Sequence, residues 1–190
     1  MSLQLLPKSF FEDGSVTVAP KLLGKIIKKG ECEGIIVEVE AYALDEASHA
    51  FKKPNQGRPM HDTYGHWYVY FTYGMHWCCN VTCDKSGAGG ILIRAVEPTK
   101  GVALMQKRRG IHDMRKPTTG PACVAQAFGI DKADNGLPLS KNFGIFYAPE
   151  YPPDKIASSS RIGIRAAVDL PWRFYIKGNL FVSKLPKTRN

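Results

Sequence analysis

Nine residues constrain this chain more than any others. In residues 34–42, GIIVEVEAY, Val37, Val39 and Ala41 alternate with Glu38, Glu40 and Tyr42. A period of two marks a β-strand, because successive side chains leave the backbone on opposite faces. The run predicts a half-buried strand, apolar on one face and acidic on the other.

Other segments extend the pattern. Residues 67–71 (WYVYF) and 76–81 (HWCCNV) read as two strands joined by a turn near Tyr73-Gly74, a hairpin with glycine at its tip. Residues 90–96 (GILIRAV) read as a strand that is apolar except for Arg94. Two more strands are expected at 161–164 and 172–182. A helix is expected over 99–109, opened near Pro98 and stopped by Gly110. The stretch 132–160, rich in Pro, Gly, Ser and Asn, reads as a long surface loop. The sum is an α+β fold with a mostly antiparallel sheet. A length of 190 residues, 44% hydrophobic and without repeat or linker, is expected to form a single domain, 1–190, around one core.

Composition narrows the chemistry. Lys and Arg number 26 against 17 Asp and Glu, a net charge of +9 that suits an anionic partner: nucleic acid, phosphorylated substrate or membrane surface. No apolar run approaches the roughly 18 residues of a membrane-spanning helix, and the first residues, MSLQLLPK, lack a signal-peptide core. A cytoplasmic setting with reduced thiols is expected. The cysteines, Cys32, Cys78, Cys79, Cys83 and Cys123, are odd in number and contain no C-x-x-C pair. Most of them are expected to be small core residues rather than disulfides or zinc ligands. There is no H-E-x-x-H, G-x-S-x-G, Walker loop or G-x-G-x-x-G, so no metal or cofactor is expected.

Against that background a few residues stand out. Glu40, on the polar face of its strand, could act as a general base toward water if something positive keeps it ionised and oriented. Glu38 shares that face and is its rival. Arg94 would be costly in an apolar strand unless paired; Glu40 is one candidate partner, and Glu97 or another acid is the other. The rings Tyr64, Trp67, Tyr68, Tyr70, Phe71, Tyr73 and Trp77 lie among Lys52, Lys53 and Arg58, a mixture that can stack on unpaired bases and neutralise phosphates. Alternation places Tyr68 and Tyr70 on one face, Val69 and Phe71 on the other. Tyr73, at the hairpin tip, has little core to join and could wedge into a base stack. The basic run 107–109, with Arg115 and Lys116, could contact phosphates or complement the dipole of the preceding helix.

These residues, in this order, resemble a known family. VEVEAY at 37–42, DEASHA at 45–50, YVY at 68–70 and YGMH at 73–76 are similar to the alkyladenine (3-methyladenine) DNA glycosylases. Asn80, LIRAVEP at 92–98, Gly120-Pro121, RIGI at 161–164 and PWRF at 171–174 continue the likeness over nearly the whole chain. The resemblance implies a curved antiparallel sheet with flanking helices and a protruding hairpin. It also implies a monomer that acts on double-stranded DNA containing damaged purines, hydrolysing their N-glycosidic bond, without metal or cofactor and with no role at membranes. The compartment would be the bacterial cytoplasm, or the nucleus in a eukaryote. In the implied site Glu40 activates water, held also by Arg94 and the backbone carbonyl of Ile162. Tyr42, His49 and Tyr70 wall the pocket, Asn80 clashes with the guanine amino group, and Tyr73 fills the gap left by the extruded nucleotide. Two segments depart from the family: residues 56–65 replace its usual Arg-Asn pair and Pro-Gly turn, and Ala122 stands where glycine often follows Gly120-Pro121. Other readings are a non-catalytic nucleic-acid-binding protein of the same fold and a hydrolase of free nucleosides. The former would not need Glu40 and Arg94, and the latter would not need Tyr73.

Overall fold

The computed structural model describes residues 3–111, 117–149 and 151–183. They build one eight-stranded sheet of antiparallel pairs: β1 (Ile26–Lys29), β2 (Cys32–Tyr42), β3 (Trp67–Thr72), β4 (His76–Cys83), β5 (Gly89–Lys100), β6 (Phe143–Phe146), β7 (Ile156–Ser159) and β8 (Arg173–Ile176). The main path runs β3-β4-β5-β2-β1-β6. β2 is the spine. β5 follows one of its edges from Glu33 to Tyr42, while β1 takes the first part of the other edge and β8 the later part, with β7 beyond β8. The β2–β5 register breaks on either side of Glu38, an irregularity that bends the sheet beside the two glutamates.

Alternation decides what each face meets. Val37, Val39 and Ala41 of β2, Val69 of β3, Cys79 and Val81 of β4, and Ile91, Ile93 and Ala95 of β5 enter the main core. There they join residues of α1 (Ser15–Leu22), which packs on β2, and α5 (Pro121–Phe128), which packs on β4 and β5. Each fully buried aliphatic side chain contributes about 1.5–3 kcal/mol. The opposite face of the β3 and β4 end lies under α2 (His49–Lys52) and α3 (Pro54–Asp62), through a smaller cluster of Ala50, Met60, Tyr68 and Ala88. Gly57 makes that packing possible, since a Cβ there would stand 2.5 Å from the carbonyl of His49. Ser48 caps α2 by accepting from Ala50 N–H at 3.2 Å, which fixes the turn that presents His49.

Several expectations change. β2 is covered on both faces from 36 to 41, and Glu38 and Glu40 have no exposed surface, so the half-buried strand is a buried one. The helix expected at 99–109 is α4 (Val102–Arg109), because Pro98, Thr99 and Lys100 continue β5. Pro98 pairs with Gly34, where a Cβ would meet Val96 Cγ1 at 2.4 Å, and the turn into the helix falls at Gly101, φ +71°. The stretch 132–160 is not one loop. It carries β6 and β7, and Phe143, Ile145 and Phe146 are core residues inside a Pro- and Gly-rich surround. Residues 161–164 form a bend around Gly163, φ +80°, rather than a strand, and the strand expected over 172–182 covers only Arg173–Ile176. The divergent segment 56–65 lies largely in α3.

Candidate active site

Strand register assembles the site. Tyr68 pairs with Asn80, Asn80 with Leu92, Leu92 with Glu40 and Glu40 with Arg173. One row of residues therefore crosses five strands at about 4.8 Å per step. A cleft of about 550 Å³ opens beside this row, lined from the sheet by Tyr42, Tyr70, Cys78, Asn80, Leu92 and Arg94. His49 of α2, Tyr73 of the β3–β4 turn and Ile162 of the 161–164 bend complete it, with exposed Lys52, Lys53 and Arg165 at its mouth. Residues from distant parts of the sequence thus meet in one place.

Glu40 lies directly behind the lining. Its Oε1 accepts from Ile162 N–H at 2.6 Å, and its Oε2 accepts from the Tyr42 hydroxyl at 2.8 Å and sits 3.3 Å from Arg94 Nη1. All three partners line the cleft. Glu38 is equally buried but faces other groups: Oε1 accepts from Arg94 Nε at 3.0 Å and Arg173 Nε at 2.7 Å, and Oε2 from Ser183 N–H at 2.6 Å. Of these only Arg94 borders the cleft. Arg94 thus pairs with both glutamates, and the alternative of a pair with Glu97 fails: Glu97 instead accepts from Asn179 Nδ2 at 2.6 Å.

Ionisation follows from these contacts. Burial alone would raise the Glu38 carboxyl, but Arg94, the Ser183 N–H and Arg173 outweigh it and hold the group below the ordinary range. Burial opposes the charge on Arg94, and Glu40 with Glu38 more than restores it. Burial pushes the Tyr42 phenol well up, helped by the neighbouring Glu40, so it stays a neutral donor to that carboxylate. His49 is lowered to about 4, first by burial and then by Lys53, and is a neutral ring at physiological pH. Its Nδ1 lies 2.7 Å from the Tyr68 hydroxyl, and its ring meets Tyr70 edge-on at 4.5 Å between centroids.

The bend that carries Ile162 is held by a residue that motif reasoning passed over. Arg161 is clamped on Asp45 through two contacts, 3.1 and 2.7 Å, donates to Ala41 C=O at 3.0 Å, and lies over the rings of Tyr42 and Trp172 at 4.6 and 5.1 Å. It fastens the bend to the end of β2 and so brings Ile162 N–H to Glu40. The resemblance implied the carbonyl of Ile162; the contact present is made by its N–H. Tyr68, Cys78 and Leu92 also line the cleft without having been singled out for it. Cys78 is no plain core residue: it faces the cleft beside Tyr70, its thiol pushed up to about 11 by burial.

At the hairpin tip Tyr73 is 78% exposed with φ +52°, and Gly74 follows at φ +66°. Met75 N–H closes the turn on Thr72 C=O at 3.2 Å. Of the basic residues read as phosphate ligands, Lys52 and Lys53 reach the cleft, whereas Arg58 pairs with Asp62 one helical turn away at 2.9 Å. Arg108 turns inward to Ala127 C=O at 3.1 Å, and Arg115 and Lys116 lie outside the described residues. Among the described residues, no group of three His, Cys, Asp or Glu could hold a metal ion, and no helix is long and apolar enough to cross a membrane.

The profile of the methylpurine-DNA glycosylase family matches residues 9–180. A protein of Rhodopseudomonas palustris is 46% identical over 184 residues, covering 95% of this chain and 88% of its own length. One of Burkholderia lata is 44% identical over 194 residues (97% and 93%), and one of Agrobacterium fabrum 41% over 181 (94% and 92%). All three are provisionally named 3-methyladenine DNA glycosylases. A match over most of the chain, joined by relatives of similar length, places this chain in the methylpurine-DNA glycosylase family.

Proposed function

We propose that this protein is a monofunctional DNA glycosylase that hydrolyses the N-glycosidic bond of alkylated or deaminated purines, such as 3-methyladenine and hypoxanthine, in double-stranded DNA. The observation that carries this reading is the contrast between the two buried glutamates: among the described residues, the partners of the Glu40 side chain, Ile162, Tyr42 and Arg94, all line the cleft, and of the partners of Glu38 only Arg94 does.

A base inside a duplex is out of reach, so the nucleotide is turned out of the helix before any chemistry. Tyr73, large, exposed and at the tip of a hairpin, suits the wedge that keeps the stack open. The extruded purine would enter between Tyr42, His49 and Tyr70, and Asn80, which lines the same cleft, would be the side chain that excludes a guanine amino group. Glu40 takes a proton from water as its oxygen attacks C1′, and the purine leaves with the bonding electrons. Ile162 N–H, the Tyr42 hydroxyl and Arg94 take three of the about four acceptor sites of the carboxylate, and the remaining one on Oε1 can receive a water. Arg94 holds the Glu40 carboxylate in place at 3.3 Å, and that carboxylate offsets the positive charge that develops on the sugar. A 3-alkylated adenine is already cationic and departs without a strong acid, whereas hypoxanthine needs protonation or a hydrogen bond as it leaves. No lysine nucleophile enters the scheme, so the product is an intact strand with an abasic site.

The test is to incubate the protein with methylated DNA and with duplexes carrying hypoxanthine, and to measure free base and strand integrity. Base release without strand cleavage is expected from at least one substrate. Duplex binding with no base released from either would leave the non-catalytic reading standing instead.

A further inference from the structure

Behind the cleft, two glutamates and two arginines alternate in a buried chain. Glu40 meets Arg94 at 3.3 Å, Arg94 meets Glu38 at 3.0 Å, and Glu38 meets Arg173 at 2.7 Å. Arg173 ends the chain: it is almost fully buried, donates from Nη1 to Ser159 Oγ and from Nη2 to Ser183 C=O, each at 2.9 Å, and lies over the ring of Tyr175. Among the described residues its side chain makes no hydrogen bond or ion pair with the cleft lining or with Glu40. A guanidinium desolvated this far is costly unless it is needed where it lies.

We propose that Arg173 and Glu38 are positioning residues for the glycosylase reaction, Glu38 holding the Arg94 guanidinium against Glu40 and Arg173 supplying the second positive charge that lets both glutamates stay ionised side by side. This rests on the reading of Glu40 as the base. Two carboxylates sharing a single guanidinium behave as a coupled pair, and one of them takes up a proton at raised pH. With Arg173 present there are two negative and two positive groups, and neither carboxylate has to be protonated. Among the described residues, the other groups near the pair do not alter that count. Tyr42 on β2 and Cys78 on β4 are both shifted upward and neutral, while Arg161 and Asp45, grouped around Tyr42, neutralise one another.

The experiment is the pH dependence of single-turnover base release at saturating enzyme, for wild type, Arg173→Lys, Arg173→Gln and the double variant Glu38→Gln/Arg173→Gln, with Glu40→Gln as reference. The rate falls as pH drops through the titration of the base. Leaving two carboxylates on one guanidinium should therefore move the acid limb of Arg173→Gln upward by about one pH unit. Arg173→Lys keeps the charge and should hold the limb near the wild-type position. The double variant removes the second carboxylate and should bring the limb back down. If Arg173→Gln slows the reaction equally at every pH, or the double variant keeps the raised limb, the proposal is overturned and Arg173 is a packing residue. If Arg173→Gln fails to fold, stability gives the same contrast. The double variant, with no unmatched buried charge, should then fold where the single does not, and a double variant that is no more stable overturns the proposal. A Glu40→Gln reference that keeps the wild-type rate locates the failure in the assignment of the base instead.

Discussion

Tyr42 ties two jobs to one side chain, since its ring lines the cleft while its hydroxyl donates to Glu40 at 2.8 Å. Tyr42→Phe separates them, keeping the ring and losing a hydrogen bond to a charged group. Such bonds contribute about 1.5–3 kcal/mol, so base release should slow by roughly tenfold or more while duplex affinity is held. An unchanged rate would show that the hydroxyl does not orient the carboxylate. His49 makes a prediction of opposite kind, in stability. Its ring is lowered from 6.5 to about 4 by burial and Lys53, so between those values the unfolded chain binds a proton that the folded chain refuses. The contribution of His49 is fully present above pH 6.5 and is lost as pH falls toward 4. Thermal unfolding of His49→Asn should lose less over that window than wild type, and equal losses would refute the assignment.

The β3–β4 hairpin shows how an element can trade stability for action. A left-handed conformation costs a residue with a Cβ about 1–2 kcal/mol relative to glycine, yet the position holds a tyrosine with most of its surface in solvent. Tyr73→Gly should therefore raise stability by about 1 kcal/mol. It should slow base release from a duplex far more than from a single strand with the same lesion, which has no stack to hold open. Equal slowing on both would contradict the wedge role. The same hairpin marks how far the sequence was legible. Residues 67–71 are all aromatic or β-branched, residues 76–81 carry Trp77 and Val81, and a Gly sits at the turn between them, so the element and its tip could be read locally. The helices over the site could not. α2 is four residues long, and α3 holds Gly57 and Pro59 inside a helix, both poor local signals overcome by packing against Met60 and Tyr68. Glu40 and Glu38 were likewise indistinguishable by periodicity. Their difference arises from Ile162, Arg173 and Ser183, more than 120 residues away, and no local pattern reports such contacts.

Over the whole molecule, a charge of +9 and a cleft mouth carrying Lys52, Lys53 and Arg165 set how it meets DNA. If those three neutralise phosphates, duplex affinity should fall about 40-fold between 50 and 200 mM salt, and removing one should reduce the log–log slope by about one. A salt-independent affinity would place the DNA elsewhere. The fold carries this reading because β2 runs through the middle of the sheet, with the site on one face and the main core on the other. Tyr42, Tyr70, Asn80, Glu40 and Arg94 are thereby set by strand register, whereas His49 comes from α2, Tyr73 from the β3–β4 turn and Ile162 from the bend at 161–164. Glu40, and not its equally buried neighbour, is proposed as the group that activates water. Single-turnover base release with wild type, Glu40→Gln and Glu38→Gln on methylated and hypoxanthine-containing duplexes, with duplex binding measured in parallel, separates the two glutamates. Glu40→Gln should lose about 10²- to 10⁴-fold in rate while still binding the duplex. Full activity in Glu40→Gln, with activity lost in Glu38→Gln, would contradict that assignment.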